Sequence, residues 1–157
     1  MSLDPTAREA NVRDSIKKHF VDNIALAEGI ALTFDTSLAT PPLSQGGTVD
    51  KWVVVNIGEM ERSRLSSLLL EVTCATRKDN EGFKLAQLTD TVIENMSDNT
   101  QTDGLKRITF YRSRATGVWT QIGSLLVTGM EESPQMDGPD KTKYKIITFI
   151  IKWVSNI

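Results

Sequence analysis

The chain contains 157 residues, of which 39% are hydrophobic and 24% charged, and its formal net charge at pH 7 is −2. This length and composition predict one soluble globular domain over residues 1–157, large enough to fold without disulfides or structural metals. The slightly acidic balance excludes recruitment to nucleic acid or to an anionic membrane by overall charge. The longest apolar stretch spans about ten residues and is too short for a transmembrane helix.

The first predicted element is a helix over residues 5–22. Asp4 and Pro5 suit its N-cap and first helical position, and Val12 and Ile16 begin a thin apolar stripe at helical spacing. We therefore expect this helix on the surface of the core. Its His19 is the only histidine, and its place at the apolar edge favours a structural residue over a catalytic or metal-binding one.

A short strand at 30–35 precedes a long loop at 36–50. The loop contains Pro41-Pro42 and Gly46-Gly47, which remove hydrogen-bond donors and loosen the chain. Loops of this length in compact domains are often functional.

Two strands follow, at 51–59 and 64–77, with a turn around 58–63. The second contains Cys74, the only cysteine. A single thiol excludes an intramolecular disulfide and a multi-thiol zinc site, and its position predicts a buried, inert side chain. It also fits synthesis in a reducing cytoplasm.

The clearest helix is predicted at 82–97, after the turn formers of 79–82. Leu85, Leu88 and Val92 form one stripe of it, and polar side chains occupy the rest. It is amphipathic and central in the chain.

Three more strands are predicted at 106–113, 118–130 and 141–154, with an acidic loop at 131–140 before the last one. Spacings between strands suit antiparallel hairpins. The element order predicts an α+β fold, a mostly antiparallel β-sheet with the N-terminal helix and the central amphipathic helix packed on one face.

The last strand, "KYKIITFIIKWV", is apolar on both faces. One face suits the central helix. The other needs cover from a second layer of the chain, to which the strand 51–59 could contribute, or from a neighbouring subunit. Its members are Tyr144, Ile146, Thr148, Ile150, Lys152 and Val154.

No catalytic, cofactor-binding or metal-binding constellation is apparent. The acids of 131–140 could hold a divalent ion, but they lack the alternation of an EF-hand loop, so a solvated loop is the simpler interpretation. A small metal-dependent hydrolase using Asp137 or Asp140 stays a less favoured alternative, and we predict a protein that is not an enzyme and has no cofactor.

Charges are distributed unevenly along the chain. Basic residues cluster at 106–114 and alternate at 141–145, whereas 94–103 and 131–140 are acidic. Three interpretations follow: soluble edge strands, opposite-signed patches that engage a neighbouring copy head to tail, or a lumen that faces nucleic acid.

The order and hydrophobic pattern of these elements resemble the tail-terminator, or tail-completion, proteins of long-tailed bacteriophages. The correspondence covers nearly the whole chain and contains no catalytic motif. It runs through 12–20, 30–35, "KWVVVNIGE", "SLLLEVTCATR", "EGFKLAQLTDTVIENM", "GVWTQIGSLLVTG" and "YKIITFIIKW".

The resemblance implies a hexameric ring that caps the tail tube, ends tail polymerisation and offers a surface to the head-side connector. The implied partners are further copies of the chain, the tail-tube protein and the head–tail connector protein. DNA would pass through the lumen without sequence-specific binding, no membrane would be involved, and the protein would reside in the tail or neck of the virion.

The predicted interface combines four residues of the last strand, two arginines as charged partners, and Trp52 with the two prolines of the loop before it. Alternatives are another neck, tail-tube or head-completion protein on the same fold, and a monomeric nucleic-acid-binding module. The interface residues are Arg112, Arg114, Tyr144, Ile146, Ile150, Lys152, Trp52, Pro41 and Pro42.

Overall fold

A computed structural model shows two helices on one face of a seven-stranded sheet. It describes residues 9–27, 29–35, 50–61, 65–77, 79, 81–98, 100, 106–112, 120–138 and 142–154. The helices are α1 (Glu9–Phe20), extended by a π-helical segment (Val21–Leu26), and α2 (Phe83–Asn95). The strands are β1 (Ala31–Phe34), β2 (Lys51–Glu61), β3 (Leu65–Thr76), β4 (Arg107–Arg112), β5 (Thr120–Glu132), β6 (Met136–Asp137) and β7 (Lys143–Val154).

The sheet has the order β1-β2-β3-β7-β5-β4, and the short β6 also pairs with β7. The neighbouring strands β3 and β7 run antiparallel through the centre, in a register that pairs Leu69 with Ile150. All pairs are antiparallel except β1 with β2. The predicted α+β architecture is therefore confirmed.

One core fills the space between the sheet and the helices. Side chains that alternate along each strand, such as Val72 of β3 and Phe149 of β7, meet the apolar stripes of both helices. The predicted stripe of α2 is confirmed, since Leu85, Leu88 and Val92 are all buried. Ile147, Phe149, Ile151 and Trp153 form the core face of β7.

The N-terminal helix is more deeply embedded than its thin stripe suggested. Val12, Ile16, Phe20 and Ile24 are completely buried, and the π-helical segment carries the helix to Leu26, beyond the predicted end at 22. Ser15 fastens it to the edge strand β4, because its hydroxyl accepts a 2.8 Å hydrogen bond from the Tyr111 amide.

A carboxylate outside α2 fixes where this helix begins. The N-cap residue Gly82 has a left-handed backbone (φ 78°) and no side chain to cap with. Asp79 takes that role: its Oδ2 accepts hydrogen bonds from the Leu85 amide (2.9 Å) and the Thr76 hydroxyl (3.2 Å). Free amides in the first helical turn favour such an acceptor.

The strands β1 and β2 form a parallel pair. Two sequence expectations need correction. The acidic loop contains the two-residue strand β6. The strand at 51–61 lies beside β3 within the sheet and not in a second layer, although the cluster that its Trp52 and Val54 form with Ala75 packs against Tyr144 at one end of the second face of β7. Among the described residues, neither helix combines the length and the hydropathy that a membrane span needs.

Candidate interaction surface

The face of the sheet opposite the helices, here called the outer face, carries the alternate residues of the central strands. The register places Ala75, Thr73, Glu71, Leu69 and Ser67 of β3 beside the even-numbered residues of β7. Four predicted interface residues therefore lie together on this face. They are Tyr144, Ile146, Ile150 and Lys152, all half-buried.

An apolar row crosses the middle of the outer face. Ile150 pairs with Leu69 on one side and with Gly129 on the other. Leu69 is 38% exposed, and a Cβ added at Gly129 would lie 3.1 Å from Ile150 Cδ1. Further along β3, Leu65 is 53% exposed. Because a one-sided antiparallel sheet ordinarily shows polar side chains to water, this row is an unusual surface.

An acidic row lies next to the apolar one. Thr148 pairs with Glu71 on β3 and with Glu131 on β5. Both carboxylates are exposed, and neither forms an ion pair within the described part of the chain. The centre of the outer face thus combines apolar side chains with negative charge.

One end of the outer face is closed by the chain itself. Trp52, Val54 and Ala75 are buried in a small second cluster, against which Tyr144 packs. The Arg77 guanidinium lies 5.3 Å from the Trp52 ring centroid, a distance suited to a cation–π contact. Trp52 is fully buried, so its side chain presents no surface to a partner in this structure.

Two of the predicted charge patches neutralise each other within the chain. Lys143 binds Asp137 at 3.2 Å, and Lys145 binds Glu132 at 2.9 Å. The cause is the pairing of β6 and the end of β5 with β7, which sequence spacing did not reveal. These residues are therefore not available as opposite-signed patches for a neighbouring copy.

Of the remaining predicted interface residues, the structure describes only the backbone of Arg112. Arg112 is the last residue of β4, and its side chain lies outside the described residues. Arg114, Pro41 and Pro42 also lie outside the described residues.

The two residues with the most reactive side-chain types are held in structural settings. Cys74 is buried in the core, and desolvation raises the pKa of its thiol to about 12. His19 joins the helices: its Nε2–H donates to the Asn95 carbonyl (3.0 Å), and Nδ1 accepts from Asn23 (3.3 Å). Burial, more than any neighbouring charge, lowers the pKa of His19. No three His, Cys, Asp or Glu residues within the described ranges lie close enough together to hold a metal ion.

Sequence reasoning missed Leu69, Glu71, Gly129 and Glu131 as members of one surface. The alternation of β3 places Leu69 and Glu71 on one face, so that signal is present in the sequence. Their alignment beside β7 and β5 depends on a register between distant segments, for which a single sequence has no local signal.

Comparisons with known proteins support the fold alone. No family model and no curated protein matches this sequence. Several solved structures match this chain. One of them, whose name states no function, has a TM-score of 0.54 and 11% sequence identity. The match covers 89% of this chain and 94% of that one. At this identity the similarity shows a shared fold and carries no function.

Proposed function

We propose that this protein is a non-enzymatic bacteriophage assembly protein of the tail-terminator type, whose copies form a hexameric ring. The observation that carries the proposal is the outer face, where the exposed Leu69 and half-buried Ile150 form an apolar row at the sheet centre. The functional class in this proposal comes from the sequence, whose order of helices and strands resembles that of the tail-terminator family.

The apolar row favours burial against another protein surface. Fully burying a Leu or Ile side chain is worth roughly 1.5–3 kcal/mol. Leu69, Ile150 and Leu65 lie on strands whose core-facing residues are already packed. Covering them would remove apolar area from water without rearranging the core.

The acidic row favours a ring over a two-fold dimer. A two-fold contact through the outer face would bring Glu71 and Glu131 of one copy near the same carboxylates of the other. A heterologous contact sets this face against a different surface and generates a ring when its rotation closes. In the proposal that surface includes the end of β4 and the segment after it, which carries Arg112 and Arg114 in the sequence.

In this role the ring caps the tail tube, ends its polymerisation and binds the head-side connector. Its partners are further copies, the tail-tube protein and the connector, and DNA passes through the lumen without sequence-specific contacts. After synthesis in the bacterial cytoplasm the protein resides in the tail or neck of the virion.

The test is the mass in solution, by sedimentation and light scattering, combined with negative-stain imaging. We expect rings of about six copies, as a heterologous contact closes into a ring. Leu69→Asp should reduce them to monomers, and Phe83→Asp is the matched control, since Phe83 is also exposed (68%) but lies on α2. Long open tubes would assign the protein to the tail tube instead. A wild-type monomer at every concentration would refute the ring.

A further inference from the structure

A polar cleft of about 220 Å³ lies between the N-terminal helix and the free edge of the sheet. One wall is α1 with the start of the π-helical segment, and the other is β4. π-Helical turns are uncommon and frequently occur at functional sites. The residues that line the cleft include Lys18, His19, Asp22, Lys106, Arg107 and Thr109.

The β4 edge turns backbone hydrogen-bonding groups toward the cleft. The Lys106 carbonyl accepts from the Val127 amide of β5, whereas the Tyr111 amide donates outward to Ser15 on α1. Along an antiparallel strand the direction of these groups alternates, so the amides of Arg107 and Thr109 point the same way as that of Tyr111.

The charges of the lining are strongly unbalanced. Lys18 binds Asp22 at 2.7 Å, but Lys106 and Arg107 form no ion pair within the described residues. Three cations and one carboxylate leave a net charge of +2 when His19 is neutral.

We propose that this cleft binds a phosphate group, between the Lys106 and Arg107 cations on one wall and the Lys18 ammonium on the other. A phosphate dianion matches the net charge of the lining, whereas a single carboxylate would leave one positive charge uncompensated. Arginine, lysine and backbone amides are the usual donors to phosphate oxygens. The ligand is either a free phosphate compound, whose dianion supplies both negative charges, or the phosphodiester backbone of a nucleic acid, in which each phosphate carries one negative charge and two successive phosphates would supply them.

A larger cavity among the described residues does not support a comparable assignment. It measures about 790 Å³, and its lining mixes Asp50, Lys51 and Lys84 with apolar side chains such as Ile30 and Leu88. Charges of both signs beside an apolar wall do not select one class of ligand.

The single imidazole provides a reporter inside the cleft. The Lys106 charge is among the influences that lower the pKa of His19, after burial. An anion bound beside Lys106 would offset that charge and raise the pKa of His19. Because the chain has one histidine, its ring resonances in NMR are assigned without ambiguity.

The experiment titrates the full-length protein at constant ionic strength with inorganic phosphate, a single-stranded thymidine oligonucleotide, or acetate. Binding is followed by calorimetry and through the His19 ring resonances. We expect saturable phosphate binding that raises the pKa of His19. Lys106→Gln should weaken it about tenfold, the loss typical of one charge-assisted hydrogen bond. Lys84→Gln, at an exposed lysine on α2, should bind as the wild type does.

Each outcome bears on the proposal. Tighter binding of the oligonucleotide than of phosphate would support it and identify a nucleic acid backbone as the source. Tighter binding of phosphate would support it and identify a free compound. Equal phosphate affinity in the wild type and Lys106→Gln, acetate binding as tight as phosphate binding, or no response of His19 would each overturn it. The comparison of phosphate with acetate uses the wild-type protein, so it does not depend on how a variant folds.

Discussion

Ile150 lies against Gly129 on the neighbouring strand, so closely that a Cβ on Gly129 would come within 3.1 Å of Ile150 Cδ1. The glycine leaves room for the isoleucine side chain to lie along the sheet. With Leu69 on its other side, Ile150 forms the centre of the apolar row, and it remains half-buried in the isolated chain.

Ile150→Asp is expected to abolish assembly. The new carboxylate would stand one row from Glu71 and Glu131, and the apolar contact would be lost. Because the Ile150 side chain is already partly buried in the isolated chain, we also expect a loss in stability of about 1–3 kcal/mol. Sedimentation measures the assembly and urea unfolding the stability.

Ile150→Thr separates the two effects of that change. Threonine keeps the β-branched shape that strands favour but removes most of the apolar contact, so the fold should survive while assembly weakens. If Ile150→Asp stays folded and still forms complexes of wild-type mass, the outer face is not the interface.

Cys74 is expected to resist alkylation in the folded protein. The core buries its thiol and raises its pKa to about 12, which lowers the thiolate fraction about a thousandfold relative to a free cysteine. Iodoacetamide labelling followed by mass spectrometry should show modification only under denaturing conditions. Rapid labelling of the native protein would indicate that β3 opens locally at this position.

Local sequence patterns account for much of the fold. Helical spacing located α2, alternation located both faces of β3 and β7, and the turn formers at 79–82 located the start of α2. These features depend on residues that are close together in the sequence, so local patterns are sufficient to predict them.

Non-local pairing limited what could be predicted about the site. The parallel alignment of β1 with β2, the ion pairs of Lys143 and Lys145, and the alignment of Leu69 with Ile150 all arise from contacts between distant segments. The burial of Trp52 likewise depends on its neighbours Ala75 and Tyr144. An aromatic residue after a long loop looks the same in the sequence whether it is buried or exposed.

Asp79 is expected to stabilise α2 through its charge. Burial alone would raise the pKa of Asp79, but hydrogen bonds from the amides of Leu85, Lys84 and Gly82 and the hydroxyl of Thr76 outweigh it and hold the pKa below its usual value. Removing such a helix cap costs about 1–2 kcal/mol, so Asp79→Ala should unfold at a correspondingly lower urea concentration.

The pH dependence isolates this contribution. A carboxylate whose pKa is lower in the folded state stabilises the protein above its unfolded pKa of about 3.9, and the effect disappears as the pH falls through the folded value. The stability difference between wild type and Asp79→Ala should therefore shrink below about pH 4. Asp137→Ala is the control, since Asp137 is exposed and caps no helix; a difference that does not change with pH would rule out the carboxylate charge as the cause.

His19→Ala is expected to change stability and its pH dependence while leaving assembly intact. In the wild type the buried neutral ring bridges Asn23 and Asn95, and desolvation lowers its pKa. Below the unfolded pKa of about 6.5 the unfolded chain binds the proton more readily, so wild-type stability should fall as the pH decreases from there through the folded value. Since His19 is the only histidine, the variant should lack this slope, as urea unfolding between about pH 7 and pH 5 would show.

The ring bridges the helices on the side of the sheet opposite the outer face, and for that reason complexes of wild-type mass should form at neutral pH. Loss of assembly by a folded His19→Ala protein would move the interface from the outer face to the helices.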